Sequence, residues 1–189
     1  MENLRKTSAL FGVILGVATL VLGILSMYAA KSANSFLSFH ASSFVLSLLI
    51  PLGIVIFLVL RLRKINGGYW GYRQALENIF IVLVVSVVIS TVGTHLFNVA
   101  VPQVQEELLE NSMQINIEQL EKFGMDNDAL DTMVDAIEDQ KEQVGIFSAG
   151  EIFQGIMIST ILSFVFALIL AAIFKREKPI FMHEDEDLS

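Results

Sequence analysis

The sequence contains no cysteine, so it can build neither a disulfide framework nor a thiolate metal site. That absence does not identify a compartment. Charge is also scarce. Only 17% of residues are Asp, Glu, Lys or Arg, against about 25% in an average soluble domain. Such a deficit is hard to reconcile with a surface wholly in water. Basic residues are the scarcer sign, 12 against 20 acids, for a net charge of -8. A chain with that balance repels nucleic acid, so no nucleic-acid partner is expected. Catalytic signatures are missing too. There is no H-E-x-x-H, no G-x-S-x-G and no phosphate-binding loop. Asp126-Asn127-Asp128 is not followed by the glycine and glutamate of a calcium loop. With no visible nucleophile–base pair, an enzyme is not expected and no cofactor is implied.

What the chain has in abundance is apolar residues, 54% of the total. A helix of about 20 such residues crosses a bilayer, and runs at about 7–30, 39–60, 75–100 and 152–174 are long enough. The first run follows Arg5 and Lys6 and so resembles a signal peptide. It exceeds the roughly 7–15 residues of such a segment and lacks a clean A-x-A site, so it reads as an uncleaved span. Pro51 falls inside the second run and should kink or loosen that helix. Pro102 marks the exit from the third, and Pro179 prevents continuation of the fourth. Residues 101–147 differ from the rest. Twelve acids there face only Lys122 and Lys141, which is too polar for lipid. Leu130, Met133, Val134, Ile137 and Val144 nonetheless fall on one helical face. Asp126 or Asp128 can cap that helix. Val104, Leu108, Leu109, Ile115, Leu120 and Phe123 suggest a preceding helix, with Phe123-Gly124-Met125 as the break. The expected fold is an all-α integral membrane protein, a single membrane domain over 1–189. It has four transmembrane helices, with an extracytoplasmic amphipathic helical hairpin between helices 3 and 4, over 101–147. Residues 179–189 read as a flexible acidic cytoplasmic tail.

Orientation follows from the basic residues. The elbow at 61–73 holds Arg61, Arg63, Lys64 and Arg73, with Asn66-Gly67-Gly68 as its turn. Tyr69, Trp70 and Tyr72 sit where an interfacial aromatic belt would. Placing both termini in the cytoplasm keeps Arg5, Lys6, the four elbow residues, Lys175, Arg176 and Lys178 inside. Only Lys31, Lys122 and Lys141 are left outside. The positive-inside rule therefore sets the topology through the elbow.

Helices in lipid pack through small residues. The spans carry such residues at a spacing of four: Ser8, Gly12 and Gly16; Ser43, Ser47 and Pro51; Ser86, Ser90, Thr94 and Asn98; and Gly155, Ser159, Ser163, Ala167 and Ala171. These rows should face the interior of the protein. The Gly12–Gly16 pair also fits a homodimer face.

The run Lys64-Ile65-Asn66-Gly67-Gly68, followed by Tyr72-Arg73-Gln74-Ala75 opening a span, resembles a family of small bacterial membrane proteins. It is called domain of unknown function 4199 and is found mainly in Bacteroidetes-type bacteria. The resemblance covers nearly the whole chain. It implies four spans with a charged helical segment before the last and a place in the bacterial inner membrane. It implies no catalytic residues.

Ionisable residues at membrane depth are the candidates for chemistry. His40, His95 and Glu151 would all lie at the outer end, near Asn98 and Gln154. Two imidazoles and a carboxylate can bind a divalent metal or relay a proton, although headgroup-level polar residues have the same composition. Glu77 can pair with Arg73 four residues earlier. Met113, Met125 and Met133 suit a partner surface or the inside of the hairpin. The function expected from the sequence is that of a non-enzymatic inner-membrane protein in contact with the bilayer. It would be an interaction or structural subunit using its acidic outer hairpin on a membrane or extracytoplasmic partner. The alternative is a small transporter or channel subunit.

Overall fold

A computed structural model describes residues 2–124 and 127–177. Met125, Asp126, Lys178 and the acidic tail over 179–189 lie outside the described residues, as do the side chains of Asp128 and Leu130. The described elements are α1 (Glu2–Lys31), α2 (Phe36–Ile65), α3 (Tyr72–Ala100), α4 (Pro102–Lys122), α5 (Asn127–Glu142) and α6 (Ala149–Phe174). Helices α1, α2, α3 and α6 are long and apolar enough to cross a membrane.

Proline shapes two of these helices. In α2 a π-helical turn occupies Val45–Leu49, and the Ile50 N–H bonds back to the Val45 carbonyl five residues earlier. Pro51 lacks an N–H and its ring crowds the carbonyl of Ser47, so the regular ladder cannot pass and the turn before it widens. The expected loosening thus takes the form of one wide turn. At Pro102 the ring does more than end α3. It opens α4 as a first-turn residue, where its missing N–H has no partner to lose.

The chain divides into two compact units. One comprises the described parts of Met1–Val17, Gly53–Ile89 and Gln154–Ser189. Its core gathers Leu4, Leu15, Leu58, Val59, Leu62, Ile79, Val82, Ala167, Leu170 and Ala171. Gly12 and Gly16 let α1 approach α3 closely. A Cβ on Gly12 would lie 2.8 Å from the Val82 carbonyl oxygen, and one on Gly16 would lie 2.8 Å from the Ile89 Cβ. Gly12 and Gly16 therefore face α3 of the same chain. The α6 row grades from half-buried Gly155, Ser159 and Ser163 to fully buried Ala167 and Ala171. Leu10, Val13, Ile14 and Val17 on α1 and Met157, Ile161, Phe164 and Val165 on α6 are exposed. In water such stripes would drive aggregation, whereas in a bilayer they face lipid.

The elbow belongs to this unit. Gly67 and Gly68 both have positive φ, 83° and 87°, which only glycine adopts without strain. The Asn66 amide donates to the Tyr69 carbonyl at 2.8 Å and exchanges hydrogen bonds with the Gln74 amide. Trp70 is not an interfacial belt residue. It is 2% exposed, and its indole N–H donates to the Phe174 carbonyl at 2.9 Å. Its backbone pairs with Arg176 in both directions, at 2.8 and 3.0 Å. This pairing accompanies the end of α6 at Phe174; Pro179 lies outside the described residues.

The other unit comprises Ala18–Leu52 and Ser90–Phe153. Here α4 fastens to the end of α1. The Asn111 amide donates to the Ala30 and Ala33 carbonyls at 2.8 and 3.0 Å, and Lys31 pairs with Glu107 at 2.6 Å. A helix ends with unpaired carbonyls, and Asn111 satisfies one of them. Val104, Leu109, Ile115 and Ile137 are buried. Phe123, which the sequence pattern groups with them, is in the turn after α4 and is 75% exposed. Glu110 of α4 pairs with Lys141 of α5 at 2.9 Å. The first half of α2, through Leu49, buries no residue.

Candidate functional site

The second unit contains a cavity of about 190 Å³ where α3, α4, the end of α5 and the start of α6 meet. His95 and Asn98 line it from α3, Gln105 and Leu109 from α4, Gln140 and Gln143 from α5 and its turn, and Glu151 from α6. Local rules place these groups. His95 and Asn98, three apart on a helix, share a face. Gly145 turns the chain at φ 79° and leaves room for Pro102, whose Cβ would be 3.2 Å from a side chain there. Ser148 then caps α6. Its hydroxyl accepts from the Glu151 N–H at 3.2 Å, one half of an S-x-x-E capping box, while the Ser148 N–H goes to His95 and not to the Glu151 carboxylate. Glu151 thus has a structural reason for its position, since a carboxylate in the first turn also complements the positive helix end.

His95 has a structural role of the same kind. Its Nε2 accepts from the Ser148 backbone N–H at 3.1 Å, which leaves the ring proton on Nδ1. The ring also meets Phe147 edge-on at 5.5 Å. His95 therefore ties α3 to the cap of α6. His40 does not join it. That ring is exposed on α2 and meets the Phe36 ring at a tilt of 55°, 4.2 Å between centroids, one helical turn away. Among the described residues no three His, Asp or Glu side chains come together as a metal-ligand set. The structure brings His95 and Glu151 to one cavity and leaves His40 apart. The Asn98 Oδ1 at this cavity is buried without a hydrogen-bond partner.

A second feature lies on α4 and α5. A groove of about 540 Å³ is lined by Glu110, Met113, Gln114, Ile117 and Glu118 of α4 and by Lys141 of α5. Exposed Glu106, Asp135, Glu138, Asp139 and Glu142 add negative charge on the same two helices. Met113, which the sequence offers as a partner-surface residue, and Ile117, which its pattern does not single out, give the groove an apolar component.

At the elbow, Glu77 forms an ion pair with Arg5 of α1 rather than with Arg73. Beside it runs a polar chain that sequence reasoning misses. The Ser8 hydroxyl is within hydrogen-bond reach of both the Asn78 Oδ1, at 2.8 Å, and the Leu4 carbonyl. The Asn78 amide in turn donates to the Gln74 carbonyl at 2.8 Å. Both Ser8 and Asn78 are buried, at 0% and 3% exposure.

Four long apolar helices with exposed apolar stripes define a multi-pass α-helical membrane protein. The chain belongs to the family described as Protein of unknown function (DUF4199), whose pattern matches residues 10–176. Neither the curated proteins nor the solved structures contain a match.

Proposed function

We propose that this chain is a non-enzymatic protein of the bacterial inner membrane whose acidic α4–α5 hairpin faces outward and docks a partner protein bearing basic residues. The groove between α4 and α5 carries the reading. Its Met113 and Ile117 offer adaptable apolar contact, and the surrounding acids favour a positively charged partner. The ties from Asn111 and Lys31 hold α4 against α1 and keep the groove in a fixed place. The His95 ring accepts from the Ser148 N–H of the α6 cap, and the Glu151 carboxylate falls in the first turn of α6, where it complements the positive helix end; both placements support a structural role.

The triple variant Glu106→Lys, Glu138→Lys, Asp139→Lys tests the docking. These side chains are exposed, so the thermal midpoint in detergent should not change. Native mass spectrometry should show a stoichiometric partner on the wild-type protein and none on the variant. A partner that persists through the charge reversal would refute docking through this face. A transporter or channel subunit is the competing reading, and solute or ion flux in proteoliposomes would favour it.

The orientation rests on the partition of basic residues. Arg5, Lys6, Arg61, Arg63, Lys64, Arg73, Lys175 and Arg176 belong to one unit, and Lys31, Lys122 and Lys141 to the other. Because the chain has no cysteine, single-cysteine labelling has no background. A membrane-impermeant maleimide on spheroplasts should modify Asn34→Cys and Glu138→Cys, and should reach Lys64→Cys only after lysis. The reverse pattern would invert the topology.

A further inference from the structure

The elbow unit holds a pocket that the docking role does not use. Its volume is about 590 Å³, and it is lined by Arg5, Gly71, Arg73, Gln74 and Glu77. Its depth is set by sequence. Arg5 stands two residues before the uncharged run at 7–30, and Glu77 is the last charged residue before the apolar stretch of α3. The pocket therefore lies at the boundary between apolar and polar layers, where phospholipid headgroups reside. It is also near the N-terminal ends of α1 and α3, whose dipoles favour negative charge.

The side chains are chemically asymmetric. Arg5 is held by Glu77, and Arg73 is exposed one helical turn before Glu77. Gln74 is engaged by the Asn66 amide, which fixes that wall. Gly71 has open space where a side chain would be, so a ligand can approach the backbone. A guanidinium forks onto two phosphate oxygens, and a carboxylate accepts hydrogen bonds from an ammonium. We propose that this pocket binds a phospholipid headgroup carrying both a phosphate and a primary ammonium. The phosphate lies on Arg73 and Arg5, and the ammonium on Glu77. A choline headgroup has no N–H to donate. A glycerol headgroup has no cation for Glu77.

The test uses the full-length protein in detergent, titrated separately with phosphatidylethanolamine, phosphatidylglycerol and phosphatidylcholine, with bound lipid counted by native mass spectrometry. The expected result is retention of phosphatidylethanolamine over the other two. Arg73→Ala should weaken that retention about tenfold, the usual scale for losing one charge-assisted phosphate contact. Among the described residues Arg73 has no ion pair and its side chain is exposed, so the thermal midpoint should stay at the wild-type value. Glu77→Gln should abolish the preference over phosphatidylglycerol. Because it also breaks the Arg5 pair, Arg73→Lys serves as a second probe, keeping the charge and losing the fork. Equal retention of all three lipids would overturn the proposal. So would an Arg73→Ala protein that binds like the wild type, or soluble phosphoethanolamine binding as tightly as the lipid.

Discussion

Trp70→Ala should lower the stability of the protein by about 3–5 kcal/mol, the usual cost of emptying a buried tryptophan site. The indole is 2% exposed and belongs to the same apolar core as Leu4, Leu62, Ile79 and Leu170. Truncation therefore removes packing shared by α1, α2, α3 and α6. It also removes the indole N–H from the Phe174 carbonyl. That carbonyl is one of the last four of α6, which have no partner within the helix. Trp70→Phe is the intermediate variant. It keeps an aromatic ring in the core but loses the donor and the volume of the second ring, for about 1–3 kcal/mol. The backbone pairing of residue 70 with Arg176 does not depend on the side chain and remains in both variants. Thermal unfolding in detergent checks the order: wild type, then Trp70→Phe, then Trp70→Ala. If alanine were tolerated as well as phenylalanine, the indole would be a surface anchor and not a core residue.

The tryptophan also shows where sequence reading stops. The turn at Asn66-Gly67-Gly68 is legible because two successive positive φ values require glycine. The four long helices are legible because length and hydropathy decide them. The direction in which Trp70 points is not. An amphipathic aromatic next to a basic cluster has the same local pattern whether it faces headgroups or core. The carbonyl that selects the inward direction lies 104 positions away. Asn111 is hidden for the same reason, since its targets Ala30 and Ala33 lie at the end of α1 and in the link that follows it, about 80 positions away. Glu77 has two cations within reach. Arg73 is visible by spacing, whereas Arg5 becomes a neighbour only when α1 packs on α3.

The polar cluster around His95 divides in the same way. Ser148-Ala149-Gly150-Glu151 is a readable helix start, in which the Ser148 hydroxyl accepts from the Glu151 N–H and the acidic side chain falls in the first turn. The acceptance by His95 of the Ser148 N–H is a tertiary contact with no local signal. The separation of His40 from His95 follows from its place on the first half of α2, which buries nothing. The wide turn at Val45–Leu49 could be anticipated from Pro51 as a disturbance. Its form, one added residue in the ring of Ile50 and Val45, depends on how the neighbouring turn relaxes.

Gly12→Ala and Gly16→Ala should each destabilise the protein by about 1–3 kcal/mol through overpacking, although alanine is the better helix former. In lipid, helices gain little by burying apolar surface, so their association depends on how closely they approach. At Gly12 a new Cβ would meet the Val82 carbonyl oxygen at 2.8 Å and the Val85 Cβ at 2.7 Å. At Gly16 it would meet the Ile89 Cβ at 2.8 Å and the Ser86 Cα at 3.1 Å. These are backbone or backbone-proximal atoms, so no rotamer change relieves the clash. The helices must separate, and separation stretches the Ser8–Asn78 hydrogen bond and the Arg5–Glu77 pair one or two turns away. Gly93→Ala is the milder case, because its Cβ would meet the outer carbons of Leu20, which can swing aside. Gly23→Ala is the control of opposite sign. Nothing lies within 4 Å of a Cβ there, so the gain in helix propensity, about 0.5–1 kcal/mol, acts alone. Thermal midpoints of the four single variants in one detergent therefore rank from Gly23→Ala at the top through Gly93→Ala to Gly12→Ala and Gly16→Ala. If Gly12→Ala matched Gly23→Ala, α1 and α3 would not be in close contact at this position, and the small-residue row of α1 would have to serve another surface.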